Sequence, residues 1–132
     1  MIKIISGQLK GRKLNEVPDL YVRPTQAVVR KSMMQILEPL VNLSVLDLYA
    51  GVGTLGIEAL SRGAKQLTFV ESNQNVLNVL NKNIDAISKN NNFNVEIVYM
   101  DVMRFLKVNV KKYDIIIADP PYTKVDYFDL KK

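Results

Sequence analysis

Hydrophobic positions follow two textures along the 132 residues, and the change falls close to residue 41. Residues 2 to 5 and about 12 to 17 read as strands flanking Ser6-Gly7 and a Lys10-Gly11-Arg12 turn, with Pro18 closing the unit. After Arg23-Pro24, Thr25 is placed to cap a helix. In it Val29, Met33, Ile36, Leu37 and Leu40 recur at helical spacing up to the Pro39 stop, and Lys31 and Gln35 keep the other face wet. From Val45 onward strand and helix alternate. Apolar runs at 44–48, 67–71, 95–100 and 113–118 are separated by a helix from Thr54 to about Arg62 that ends at Gly63, a helix over about 73–89, and a short one near 102–108. The middle helix carries a Leu77, Leu80, Ile84, Ile87 stripe and breaks at Asn90-Asn91-Asn92. Such alternation predicts an α/β fold in which a parallel sheet is covered by helices on both faces. The chain divides into a basic N-terminal hairpin and helix, residues 1–40, and a sheet domain, residues 41–132.

The last run, Asp114 to Ala118, is apolar at every second position on both faces, which predicts a central strand. Only a weak Tyr127-Phe128 stretch resembles a strand after it. An exposed edge of this kind is an aggregation hazard, so the pattern predicts either a further segment of a longer protein or a partner that covers it.

Composition narrows the chemistry. Without Cys or His the chain offers no thiolate, no imidazole base and no usual zinc site, so carboxylates, amides, Tyr, Lys, Arg or a cofactor must do any catalysis. No metal site is expected. No apolar run reaches the roughly 18–20 residues of a membrane span, and the N-terminus lacks a signal-peptide core, which predicts a cytoplasmic protein. Residues 1–31 hold seven basic groups against two acids, which accounts for the whole net charge of +5. A basic lobe on a neutral body predicts a polyanionic partner, most simply nucleic acid.

Four acids, Asp47, Glu71, Asp101 and Asp119, stand where apolar runs give way to loops. In a parallel sheet they would collect along its carboxyl edge, where open α/β sheets bind ligands. Gly51-Val52-Gly53-Thr54-Leu55-Gly56 follows the first of these strands and opens a helix. Alone it matches a dinucleotide fingerprint, with Glu71 on a ribose. Asp47, four residues before Gly51, would repel a pyrophosphate there by about 1–4 kcal/mol. S-adenosylmethionine carries an ammonium and a sulfonium and no phosphate, so it reverses the sign. Asp47 would then act directly or by ordering the loop. Glu71 would accept from the ribose diol, and Asp101 from the adenine amine beside the backbone of Val102.

Asp119-Pro120-Pro121-Tyr122 follows the fourth run without a gap. Two prolines stiffen the chain and leave the Pro120 carbonyl without a neighbouring N–H. That carbonyl and Asp119 can accept both hydrogens of an amine on a flat ring, and Tyr122 can stack on the ring. Two fixed acceptors favour a pyramidal nitrogen, whose lone pair can then meet a methyl group in line.

With Asp47 to Ala64, Phe69-Val70-Glu71 and Asp119 to Tyr122 in this order, the chain resembles class I S-adenosylmethionine-dependent methyltransferases. Ile4-Ile5-Ser6-Gly7, Gly11-Arg12-Lys13-Leu14 and Arg23-Pro24-Thr25 leading to Arg30 make it more similar to the bacterial family that methylates N2 of a guanine in small-subunit ribosomal RNA. The resemblance implies a Rossmann-like methyltransferase fold represented here by its first four core strands. It implies that Asp47, Tyr49, Ala50, Gly51, Gly53, Glu71, Ser72, Asp101 and Val102 hold S-adenosyl-L-methionine. Asp119, Pro120, Pro121 and Tyr122 would be catalytic, and Lys10, Arg12, Lys13, Arg23, Thr25 and Arg30 would meet ribosomal RNA or an assembling small subunit. The residues leave three other readings open: DNA adenine-N6 methylation, a non-catalytic RNA-binding remnant and an NAD-dependent oxidoreductase.

Overall fold

The computed structural model describes residues 2–17 and 27–120. Arg23, Thr25, Pro121, Tyr122 and the Tyr127-Phe128 stretch lie outside them.

A short antiparallel pair, β1 (Ile2–Lys3) and β2 (Lys13–Leu14), precedes helix α1 (Ala27–Leu37). Alternation then begins with β3 (Ser44–Leu48), α2 (Thr54–Ser61), β4 (Gln66–Glu71) and α3 (Gln74–Ser88). It ends with β5 (Val95–Tyr99), α4 (Val102–Val108) and β6 (Ile115–Ala118). The four long strands are parallel in the order β5-β4-β3-β6, so the chain reverses direction across the sheet between β3 and β6. Ligands of open α/β sheets sit at such a reversal.

Strand parity sets the two faces. Val45, Leu67, Phe69 and Ile117 join the buried side chains of α2 and α3 in the main core. Leu46, Leu48 and Val70 pack on Val102 and Phe105 of α4 on the other side. Ile116 pairs in register with Leu46 and shares its face, yet it is 58% exposed. Among the described residues β6 is therefore an outer strand covered on one face, not the centrally buried strand that its composition predicts.

The N-terminal lobe shares the main core with the sheet domain. Ile2, Ile4, Leu9, Leu14 and Met34 belong to the same buried cluster as Val45 and Ile57. Every residue of α2 is buried, because the hairpin covers the side that the sheet does not. Glu58 of α2 is fully buried and accepts from the backbone N–H of Ile5 (2.9 Å) and Ser6 (3.1 Å). Ser61, one turn on, accepts from Leu9 N–H and donates to the Ser6 carbonyl, while its own carbonyl takes Gln8 N–H. These side chains capture backbone groups that a longer hairpin ladder would use. Hence β1 and β2 span two residues each and not the predicted 2–5 and 12–17.

Two expectations for α1 change. Arg30 and Met34 are its buried residues, whereas Val29 is 49% and Ile36 82% exposed. The Arg30 guanidinium donates to the Lys3 carbonyl and its Nε lies 3.5 Å from Glu58, whose other oxygen takes Arg62 Nε at 3.0 Å. Burial pulls the Arg30 pKa down, and Glu58 opposes that shift. Arg30 thus cements the lobe to α2 and has no exposed head for RNA.

Truncating Glu58 removes the buried carboxylate that faces Arg30 and Arg62 and takes the acceptor from two N–H donors, while Arg62 keeps Glu38. Glu58→Ala is expected to lower stability by about 3–5 kcal/mol in urea denaturation, while Ile36→Ala on the exposed side of α1 should stay within about 0.5 kcal/mol. Equal effects would remove Glu58 from its place as the clamp.

Candidate functional site

The segment from β3 to α2 makes three left-handed turns in five residues: Tyr49 (φ 57°), Gly51 (φ 61°) and Gly53 (φ 95°). For Tyr49 this costs on the order of 1 kcal/mol, so the surroundings must hold it. They do so residue by residue. Ala50 N–H donates to the Val70 carbonyl of β4 at 3.0 Å, and Gly51 N–H to Glu71 Oε1 at 2.8 Å. The Val52 carbonyl accepts from Asn83 Nδ2 at 2.9 Å, and Gly53 N–H donates to the Ala50 carbonyl at 3.0 Å.

The three glycines do different jobs. A Cβ on Gly56 would lie 2.2 Å from Phe69 Cε1 and 2.9 Å from Asp47 Oδ2, so this glycine lets α2 sit close on the sheet. On Gly53 it would lie 2.6 Å from Leu80 Cδ1, again an internal constraint. On Gly51 it would meet nothing within 4 Å. Of the three, Gly51 alone leaves room for a ligand against the backbone.

Helix α2 begins after Gly53, which has no side chain to cap it. Asp47 fills that place from the neighbouring strand, its Oδ2 accepting Gly56 N–H at 3.0 Å. Being one residue short of the strand end, it has the parity of Val45 and points beneath α2, where it is 1% exposed. Burial pushes its pKa well above the usual carboxylate range; the Gly56 bond opposes this, and the charges of Asp119 and Glu71 add to it. Direct contact between Asp47 and a ligand is thereby corrected. What remains of the expectation is that it orders the loop.

Glu71, the last residue of β4, lies beside the loop. Its Oε2 accepts Ser72 and Asn73 N–H at 3.0 and 2.9 Å, while Oε1 holds Gly51. Three of roughly four acceptor positions are occupied, which leaves about one for a ribose hydroxyl unless a backbone donor yields. Asp101, exposed, caps α4 by accepting Arg104 N–H at 3.2 Å, and Val102 behind it is buried. Asp119 is exposed at the end of β6; the register Leu48↔Ala118 sets it beside Tyr49 at the reversal point. Pro120 follows, half-buried. The sheet thus brings Asp119, Glu71 and the loop together. On the hairpin, Lys10 and Lys13 are exposed, and exposed Arg12 donates to the Ala86 carbonyl in the last turn of α3.

Carboxylates, backbone donors and one open glycine suit a cation that carries hydroxyls better than a pyrophosphate. The donor set fits S-adenosylmethionine on that ground.

Residues 2–131 match the model of the family described as Conserved hypothetical protein 95. The chain belongs to this family. It is 42% identical over 125 residues to a Ribosomal RNA small subunit methyltransferase D of Buchnera aphidicola, covering 92% of this chain and 63% of that protein. Against the protein of the same name from Escherichia coli K12 it is 38% identical, covering 93% and 61%. The solved structure of the Escherichia coli protein yhhF superimposes with a TM-score of 0.81 at 37% identity, covering 93% of this chain and 66% of that one. A precorrin-6Y C5,15-methyltransferase domain from Rhodobacter capsulatus shares the fold alone, at 16% identity and a TM-score of 0.66. The fold is the Rossmann-like one of class I methyltransferases, and this member of the Conserved hypothetical protein 95 family spans less than two thirds of the length of these rRNA methyltransferase relatives.

Sequence reasoning missed Asn83 and Glu58. The available signal was a polar residue on an otherwise apolar helical face, Asn83 between Leu80 and Ile87, and Glu58 between Ile57 and Ala59.

Gly56→Ala should lower stability by about 1–3 kcal/mol through overpacking, whereas Gly51→Ala should cost only the left-handed strain of about 1 kcal/mol; thermal denaturation of the pair checks the order. For Asp47 the sign follows from its raised pKa. The native state keeps a proton that the unfolded chain releases near pH 4, so this group's contribution is full below that point and is lost as pH rises through the native pKa. Asp47→Asn keeps an acceptor for Gly56 and loses the charge. Urea midpoints from pH 4 to pH 8 should fall more for wild type than for this variant, and parallel profiles would count against the buried, raised carboxyl.

Proposed function

We propose that the chain serves S-adenosylmethionine-dependent methyl transfer to the exocyclic N2 amine of a guanine in small-subunit ribosomal RNA, in the cytoplasm. The observation that carries this reading is the convergence of Glu71, Asp119 and a backbone loop with one open glycine at the sheet reversal. The names of the relatives supply the substrate class.

In this reading Gly51, with Tyr49 and Ala50, backs the methionine part from a loop whose shape Asp47 and Gly53 maintain. Glu71, next to Ser72, takes a ribose hydroxyl, and Asp101 with the backbone of Val102 meets the adenine. S-adenosylmethionine, when bound, supplies an electrophilic methyl group. Asp119 and the Pro120 carbonyl accept the two amine hydrogens, which turns the nitrogen lone pair away from the ring, and Asp119 or water takes the spent proton. Pro121 and Tyr122, outside the described residues, would stiffen this segment and stack on the base. An amine inside a helix cannot reach such a pocket, so the target base is single-stranded or flipped. Lys10, Arg12 and Lys13 on the hairpin, with Arg23 and Thr25 outside the described residues, would face the phosphates of the RNA or of an assembling subunit.

Titration calorimetry with S-adenosylhomocysteine should show saturable heat, and methyl-tritiated S-adenosylmethionine should label small-subunit ribosomal RNA. Asp119→Ala should cut labelling by about two orders of magnitude or more while S-adenosylhomocysteine affinity stays close to wild type. Label in duplex DNA would favour adenine-N6 methylation. No heat would favour a non-catalytic remnant, and binding of NADH an oxidoreductase.

A further inference from the structure

Asn83 is 1% exposed on α3, inside the stripe that carries Leu80, Ile84 and Ile87, and the cofactor reading gives it no task. Its amide is nevertheless fully engaged with backbone. Oδ1 accepts Asn15 N–H at 2.7 Å, while Nδ2 donates to the Asn15 carbonyl at 3.1 Å and to the Val52 carbonyl at 2.9 Å. One side chain therefore joins the exit of β2 to the middle of the glycine loop.

Val52 lies between Gly51 and Gly53, both at positive φ. Glycine has the widest choice of backbone angles, so the peptide units flanking Val52 are the easiest in the loop to rotate. Glu71 fixes the Ala50–Gly51 peptide unit through Gly51 N–H, and Asn83 fixes the Val52–Gly53 unit through the Val52 carbonyl. The second tie is anchored in turn on the hairpin segment that follows Lys13. We propose that Asn83 is a positioning residue: it locks the Val52–Gly53 peptide, and with it the ligand-facing Gly51 turn, onto the basic N-terminal hairpin. The ligand side of this inference rests on the S-adenosylmethionine reading above; the mechanical side does not.

Asn83→Asp keeps size and the bond from Asn15 N–H but has no hydrogen for the two carbonyls while it is ionised. Asn83→Leu keeps volume and loses all three bonds. Asn15 contributes only backbone, so Asn15→Ala is a neutral control. Ile87→Val, buried on the same helix away from the loop, controls for general loss of stability. Hydrogen exchange on the whole chain should show Gly51 and Gly53 amides exchanging about tenfold or more faster in both Asn83 variants, with both controls like wild type. S-adenosylhomocysteine titration should show its Kd raised by about tenfold in the same two variants alone. Wild-type exchange at Gly51 and Gly53 in either Asn83 variant overturns the tie, as does an equal acceleration in Ile87→Val. If wild-type protein binds S-adenosylhomocysteine and the Asn83 variants bind it equally well, the positioning role fails. If wild type gives no heat, the cofactor reading fails while exchange still decides the tie.

Discussion

A buried carboxylate under a glycine loop is the constraint on which this structure turns. Helix α2 needs its first amides satisfied, but the close backbone turn before it has glycine where a capping side chain would stand. Asp47 resolves the conflict from the adjacent strand by taking the third amide of the helix. A charge at a helix N-terminus contributes about 0.3–2 kcal/mol, and burying one costs several. The raised pKa of Asp47 records that the cost is the larger. Stability alone would favour a neutral acceptor here. The charges of Glu71 and Asp119 raise the pKa further, so Asp47 serves the loop as an acceptor for Gly56 N–H that readily keeps its proton.

The loop so held also depends on the N-terminal lobe. Glu58 binds two hairpin amides and two arginines from the wholly buried α2, and Asn83 carries the hairpin's other end to Val52. The lobe that holds the excess positive charge is thus fixed to the helix and loop beside the candidate site. A basic surface rigidly registered to the proposed methyl-transfer site would set the position of a phosphate chain relative to the reacting base, which a tethered basic arm cannot.

How much of this was legible in the sequence depends on what kind of force fixed each element. Strands β3 to β6 and helices α2 to α4 followed from periodicity, because simple burial of apolar side chains places them. The stripe on α3 held residue for residue. Helix α1 was misread in part: Met33, Leu37 and Leu40 pack on the core as their spacing predicts, but Val29 and Ile36 are exposed and Arg30 and Met34 are buried, and hydrophobic spacing has no means of scoring an arginine that is buried by a carboxylate 28 positions later. The hairpin was overextended for a related reason: side chains of α2 and α3 compete for its backbone, and those partners are distant in sequence. Within the glycine motif, spacing located the turn but could not separate the glycine that faces outward from the two that are needed for packing.

The four acids show where counting along a strand would have done better than noting its end. In a parallel sheet the last in-strand residue of one parity still points at a covering helix, and residues at or past the final pair escape into the edge loops. Asp47 is followed by Leu48 within β3 and has the inward parity, so it goes under α2. Glu71 ends β4, Asp101 comes two residues after β5, and Asp119 comes one residue after β6. The same residue type at nearly the same place therefore divides into one support beneath the loop and three acids at the rim. An acceptor at the rim can exchange a backbone partner for a ligand at little cost, whereas removing the buried one from Gly56 leaves a helix start and a buried carboxyl both unsatisfied. The crevice follows from that division: the buried carboxyl holds the start of α2, and Glu71, Asp101 and Asp119 stand at the open rim.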